Sequence, residues 1–122
     1  MDLNEYQTLC LRTAAFYDDQ PTVGLTPETS VSYSTLIAVM GLAGESGEMV
    51  DMLKKIIGQG HLFHTNKERM VEELGDCLWY ASLCAHALGM TLDEVASSNI
   101  EKLRKRYPYE FTVERSLRRD TE

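Results

Sequence analysis

From Ser34 to Ile57, and again from Thr65 to Leu88, apolar residues recur every three or four positions. Neither stretch contains a break that could hold a strand or a turn. Two amphipathic helices of that length, in a chain of 122 residues, leave room for little besides further helices. The punctuation agrees. Asp2 with Glu5 forms a capping-box signal for a first helix running to about Tyr17. Residues 18–32, "DDQPTVGLTPETSVS", hold two prolines and a glycine and read as a long loop. The second helix closes at "GQG", and "HLFH" leads to Thr65, whose partner Glu68 predicts the start of the third. That helix stops at Gly89, and Thr91 with Glu94 opens a fourth that ends before Pro108. The polar tail 109–122 is open between a short helix, an arm and disorder. The expectation is an all-α, four-helix bundle-like single domain over residues 1–122. The wide apolar arcs of the two central helices predict that it oligomerises through its helices.

Charge narrows the function. The chain carries 19 acidic and 12 basic residues, a net charge of -7. Such a surface repels a phosphate backbone, so nucleic-acid binding is not expected. Cys10, Cys77 and Cys84 form no CxxC pair, and Cys77 and Cys84 are about 10 Å apart along one helix, too far to bridge. An odd count without a framework points to a reducing, cytoplasmic setting. The N-terminus has no basic and apolar leader pattern, and no apolar run approaches the ~20 residues of a membrane span.

Against this background four acids are out of place. Glu45 lies on the face of Met49, Met52 and Ile56, with Glu48 about 60° to one side. Ser46, Asp51 and Lys54 are expected to point elsewhere. Glu73 shares a face with Cys77, Tyr80 and Cys84, and Asp76 is offset by about 60°. Ionised carboxylates on inward faces cost several kcal/mol each unless paired or metal-bound. One E-x-x-E pair is ordinary helix surface. Two on neighbouring apolar faces, with no lysine at i+4 of Glu45, Glu73 or Asp76, point to a site for a hard cation, Mg²⁺ or Mn²⁺. Asn99, Lys102 and Arg106 share one face of the fourth helix. Alone they are a solvated basic face; beside a carboxylate cage they are an anion clamp. Lys54 and Lys55, just beyond the first acidic pair, are further candidates for that task.

"GLAGESGEM", then "EELGDCLWY", then "NIEKLRKRYP" resemble the MazG-like family of all-α nucleoside triphosphate pyrophosphohydrolases. The pattern E-x-x-E, spacer, E-x-x-D is matched by Glu45, Glu48, Glu73 and Asp76, and "LNEYQTLCLRTA" resembles the first helix of small bacterial and phage-borne members. The resemblance covers roughly residues 3–112, while "HLFH" and 18–32 match no pattern. It implies conversion of an NTP or dNTP to the monophosphate and pyrophosphate. It also implies Mg²⁺ or Mn²⁺ on the four acids, and homodimers or homotetramers with sites near a subunit interface. Tyr80 matches the position that packs on the nucleotide; Lys102 and Arg106, with Asn99 beside them, match positions that contact phosphate. A bacterial or phage-infected cell is the implied setting. Glu48, at the flank of the cage, is the nominee for general base.

Two other classes remain as rivals. A non-catalytic nucleotide- or partner-binding module would keep the fold without turnover. A di-iron carboxylate bundle would want Glu-x-x-His, and no histidine follows either acidic pair at that spacing; His61 and His64 fall in a loop.

Overall fold

A computed structural model describes residues 1–119. Five α-helices follow one another: α1 (Leu3–Leu11), α2 (Tyr33–Gln59), α3 (Phe63–Ala87), α4 (Leu92–Arg106) and α5 (Val113–Arg118). A 3-10 turn at Pro27–Thr29 and an isolated bridge between Val23 and Val31 shape the loop after α1. The chain is an all-α single domain with four main helices packed together. The tail forms the short helix α5; its last three positions, 120–122, lie outside the described residues. Among the described residues no helix is long and apolar enough to cross a membrane.

The long hairpin α2–α3 is the frame. Gly60 turns it at φ 74°, a left-handed conformation that glycine adopts without strain, and its N–H closes on the Lys55 carbonyl. This tight turn moves the start of α3 upstream of the expected Thr65. Leu62 is the N-cap, and the side chains of Thr65 and Asn66 both donate to its carbonyl, at 3.1 and 2.7 Å. The Thr91–Glu94 capping box of α4 forms as expected, and so does the Asp2–Glu5 box of α1.

α1 ends at Leu11, well before the expected Tyr17. The cause is tertiary. Thr13 Oγ1 donates to the Cys10 carbonyl at 3.0 Å and accepts from the Trp79 indole N–H at 2.9 Å. The Tyr17 N–H donates to Ser34 Oγ at 3.1 Å. These bonds pull residues 13–17 off the helical path and lay them as a strap between α3 and the start of α2.

α1 is pinned by one side chain. The buried Gln7 amide donates to the carbonyls of Ser82 (3.3 Å) and Met90 (3.2 Å) and accepts from the Leu92 N–H (2.9 Å). It thereby joins α1 to the corner between α3 and α4. Among the described residues the buried apolar side chains are few, and most are small: Cys10, Ala38, Met52, Cys77, Ala85 and Leu92. Ser82 Oγ, fully buried beside them, has no hydrogen-bond partner among the described residues. So thin a core leaves large apolar side chains outside. Val39, Val50, Leu53 and Ile57 fall within an arc of about 60° on α2, with Val50 64% and Ile57 85% exposed. Val71, Leu74 and Leu78 form a similar stripe on α3.

Candidate functional site

The antiparallel register of α2 and α3 sets Ser46 against Cys77, with Oγ and Sγ 3.6 Å apart. Ser46 therefore faces α3 rather than pointing elsewhere, and it returns its hydroxyl to the Leu42 carbonyl at 2.8 Å. In this register Glu45 comes opposite Glu73 and Asp76. One carboxylate oxygen from each of the three lies within 4.8 Å of the others. Glu45 and Glu73 are half-buried and Asp76 is exposed. Glu48, a turn further along α2, is exposed and stands outside this triad.

The crowding has an electrostatic signature. The Glu73 carboxyl is held above its ordinary range, first by hydrogen bonding to the Glu45 side chain, then by partial burial. The charges of Glu45 and Asp76 push the same way and Arg69 opposes them. The triad thus keeps a proton longer than three separate acids would. Converging hard oxygen donors with mutual repulsion fit a divalent cation, which removes the repulsion by neutralising it.

One turn above the triad, the half-buried Tyr80 ring lies on the α2 backbone at Gly41. A Cβ built there would fall less than 3.0 Å from three ring carbons. The Trp79 ring meets Tyr80 edge-on at 4.9 Å and 86°. The Tyr6 phenol of α1 is pushed up to about 12, chiefly by burial, then by Cys10, then by the Asp76 charge. Neither Gly41 nor Tyr6 stands out in the sequence. A helical glycine opposite an aromatic becomes a signal only once the register is known.

The basic candidates lie elsewhere. Lys54 and Lys55 are both ion-paired to Asp51, at 2.9 and 2.7 Å, and hold its carboxyl down at about 2, Lys55 contributing most. Lys102 and Arg106 line a hollow of about 350 Å³ with Ser98, Glu101, Lys105 and Arg119. Asn99 is exposed on the same helix. That hollow shares no lining residue with the triad.

A more enclosed cavity, about 200 Å³, lies between the 13–17 strap, the start of α2 and the end of α3. Phe16, Tyr17, Asp18, Ser34, Leu83 and His86 are among its lining residues. The sequence reading missed it, because residues 18–32 matched no pattern. The "FYDD" run after α1 was the available signal.

Residues 32–111, which contain the triad, Tyr80 and all of α4, match the MazG nucleotide pyrophosphohydrolase domain family. The "Gene 37 protein" of Mycobacterium phage L5 is 38% identical over 69 residues, covering 55% of this chain and 60% of that protein. The chain therefore spans about 60% of the length of the curated relative it matches. No solved structure matches it.

Proposed function

The chain belongs to the MazG nucleotide pyrophosphohydrolase domain family, and from that premise we propose that it cleaves a nucleoside or deoxynucleoside triphosphate to the monophosphate and pyrophosphate. The observation that carries the reading is the meeting of Glu45, Glu73 and Asp76, from two helices, with their oxygens within 4.8 Å. These residues, with Glu48 alongside, would hold Mg²⁺ or Mn²⁺, which when bound supplies positive charge to the triphosphate and acidity to a water.

The remaining chemistry belongs to the protein. Glu48, exposed and outside the triad, keeps a free oxygen to accept the proton of the attacking water. Tyr80 positions the nucleoside above the acids. Lys102 and Arg106, with Asn99, offset the charge that builds on departing pyrophosphate. Lys54 and Lys55 would have to leave Asp51 to assist, which makes their part secondary.

The working unit is a homodimer or homotetramer. The exposed stripes on α2 and α3 support this, and the basic face of α4, which shares no hollow with the triad, would have to reach it from a second copy. Residues 1–122 act as one domain, in the cytoplasm, where free Cys10, Cys77 and Cys84 are stable. The net charge of -7 disfavours a nucleic-acid partner.

The test is pyrophosphate release from the common NTPs and dNTPs with Mg²⁺ or Mn²⁺. Equal yields of monophosphate and pyrophosphate, abolished by chelator and by Glu73→Gln, are expected. Release of orthophosphate alone, or activity unchanged in Glu73→Gln, would refute the reading. Mg²⁺-independent nucleotide binding without turnover would favour a binding module instead.

A further inference from the structure

The two bonds that hold residues 13–17 off the helical path end on either side of one contact. Thr13 reaches Trp79 on α3, and the Tyr17 N–H reaches Ser34 on α2. Trp79 adjoins Tyr80. Ser34 is seven residues before Gly41, nearly two helical turns and about 10 Å along the same face. The strap therefore ties α2 to α3 near the place where the Tyr80 ring lies on the Gly41 backbone. None of its residues falls within 32–111, the span that matches the MazG domain family.

The Tyr80 ring is confined from two directions. On one side is the α2 backbone at Gly41, so close that a Cβ there would fall less than 3.0 Å from three ring carbons. On another is the Trp79 ring, edge-on at 4.9 Å and 86°. A side chain held in this way has little rotamer freedom left to lose when a ligand settles on it. Its position is as definite as that of Trp79.

Trp79 takes its own position from Thr13. The half-buried indole has one donor and no acceptor. The Thr13 hydroxyl gives its hydrogen to the Cys10 carbonyl at 3.0 Å, which leaves only lone pairs on Oγ1, and one of these receives the indole N–H at 2.9 Å. Neither partner can reverse its role, so the bond has one arrangement. Cys10 is buried on α1, and Gln7, one turn before it, joins α1 to the corner between α3 and α4. A line of contacts runs from α1 through Thr13 and Trp79 to Tyr80. A strap that only fastened the chain could end on any polar group of α3; this one ends on the residue that walls Tyr80.

We propose that the strap is a working part of the site: Thr13 and Trp79 are positioning residues that hold the Tyr80 ring in the seat it offers the nucleoside. The proposal rests on the pyrophosphohydrolase reading of the preceding subsection and adds to it a segment from outside the matched domain.

The experiment measures kcat and KM with Mg²⁺ for dATP, dGTP, dCTP and dTTP in the parent, Thr13→Val, Thr13→Ser and Trp79→Phe, with Tm as the folding control. Thr13→Val and Trp79→Phe each remove the bond, and Thr13→Ser keeps it. On the best of the four substrates the first two should raise KM about 3- to 10-fold, the worth of one hydrogen bond, with kcat within about twofold because the acids are untouched. Thr13→Ser should keep the parent's KM. In a Tyr80→Ala background Thr13→Val should raise KM no further, since its effect passes through that ring. A fastening role alone would lower Tm and leave KM unchanged, or raise KM equally in both backgrounds; either result overturns the proposal, and so does a Thr13→Ser variant as impaired as Thr13→Val. Trp79 is the chain's one tryptophan, so its near-ultraviolet circular dichroism band reads its packing against Tyr80. Should the parent hydrolyse none of the four, the pyrophosphohydrolase reading fails by itself, and this band decides the positioning of Tyr80. A band lost in Thr13→Val and kept in Thr13→Ser upholds it; a band unchanged in Thr13→Val overturns it.

Discussion

Gly41→Ala tests the placement of Tyr80 most directly. In an exposed helix the change would stabilise by about 1 kcal/mol, because alanine loses less backbone entropy than glycine. Here the new methyl would fall less than 3.0 Å from three carbons of the Tyr80 ring, against 3.4–4 Å for ordinary contact. The ring must retreat by roughly 1 Å, and Trp79, packed edge-on against it at 4.9 Å, stands in its way. Overpacking of this kind costs about 1–3 kcal/mol, so against the gain of about 1 kcal/mol the net effect is destabilisation of up to about 2 kcal/mol. For a domain of this size that lowers Tm by up to about 8 °C. The assay is thermal and urea denaturation of Gly41→Ala, Tyr80→Ala and the double variant. In the Tyr80→Ala background the obstruction is gone, so Gly41→Ala should there be neutral or stabilising by up to about 1 kcal/mol. A stabilised single variant, or the same effect in both backgrounds, would refute the geometry and with it the seat proposed for the nucleoside.

The raised Glu73 carboxyl makes a second prediction, with a definite sign. A raised folded-state value means its contribution to stability is present below the ordinary 4.5 and is lost as pH rises through the folded value. The chelated protein should therefore lose Tm above that point, and Mg²⁺ should restore it most at neutral pH; identical profiles with and without Mg²⁺ would count against a cation site. Asp51, held down at about 2, acts in a separate window, stabilising above 3.8 and losing that effect as pH falls towards 2. Gln7→Leu should cost about 2–4 kcal/mol by urea denaturation, because it leaves the buried Leu92 N–H without its acceptor and removes the bonds to the Ser82 and Met90 carbonyls, whereas Ser82→Ala should change stability by less than about 1 kcal/mol. A Gln7 variant as stable as the parent would dismiss the strut. Lys102→Ala and Arg106→Ala should each lower kcat/KM by about 2–5 kcal/mol with Tm unchanged. Activity within twofold of the parent would remove them from phosphate binding.

What could be read from the sequence was what local geometry determines. The stripes on α2 and α3, the boxes at Asp2–Glu5 and Thr91–Glu94, and the stop at Gly60 all follow from i, i+3 and i+4 relations. The same relations put Glu45, Glu73 and Asp76 on facing surfaces. What was not legible depended on partners far along the chain. Trp79 and Ser34 take residues 13–17 out of α1, and no local pattern announces a bond across 66 positions. Thr65 has the chemistry of an N-cap, yet the tight turn at Gly60 had already begun α3. Ser46 was misplaced because a polar residue beside an acidic pair reads as solvated, whereas its hydroxyl is satisfied within its own helix and can face α3.

The three bonds of Gln7 also bear on the order in which the molecule assembles. They reach groups 75, 83 and 85 positions away. At nine residues α1 is below the ~12–15 at which an isolated helix persists in water. When it leaves the ribosome none of the three partners of Gln7 has yet been made, and Leu92 follows only after several seconds of synthesis, at roughly 5–20 residues per second. The α2–α3 hairpin, whose two arms adjoin in sequence, can zip in the meantime. α1, made before the hairpin, therefore locks after it, and until Gln7 finds its three partners the apolar flank of α3 that α1 covers is open to whatever else the nascent chain meets.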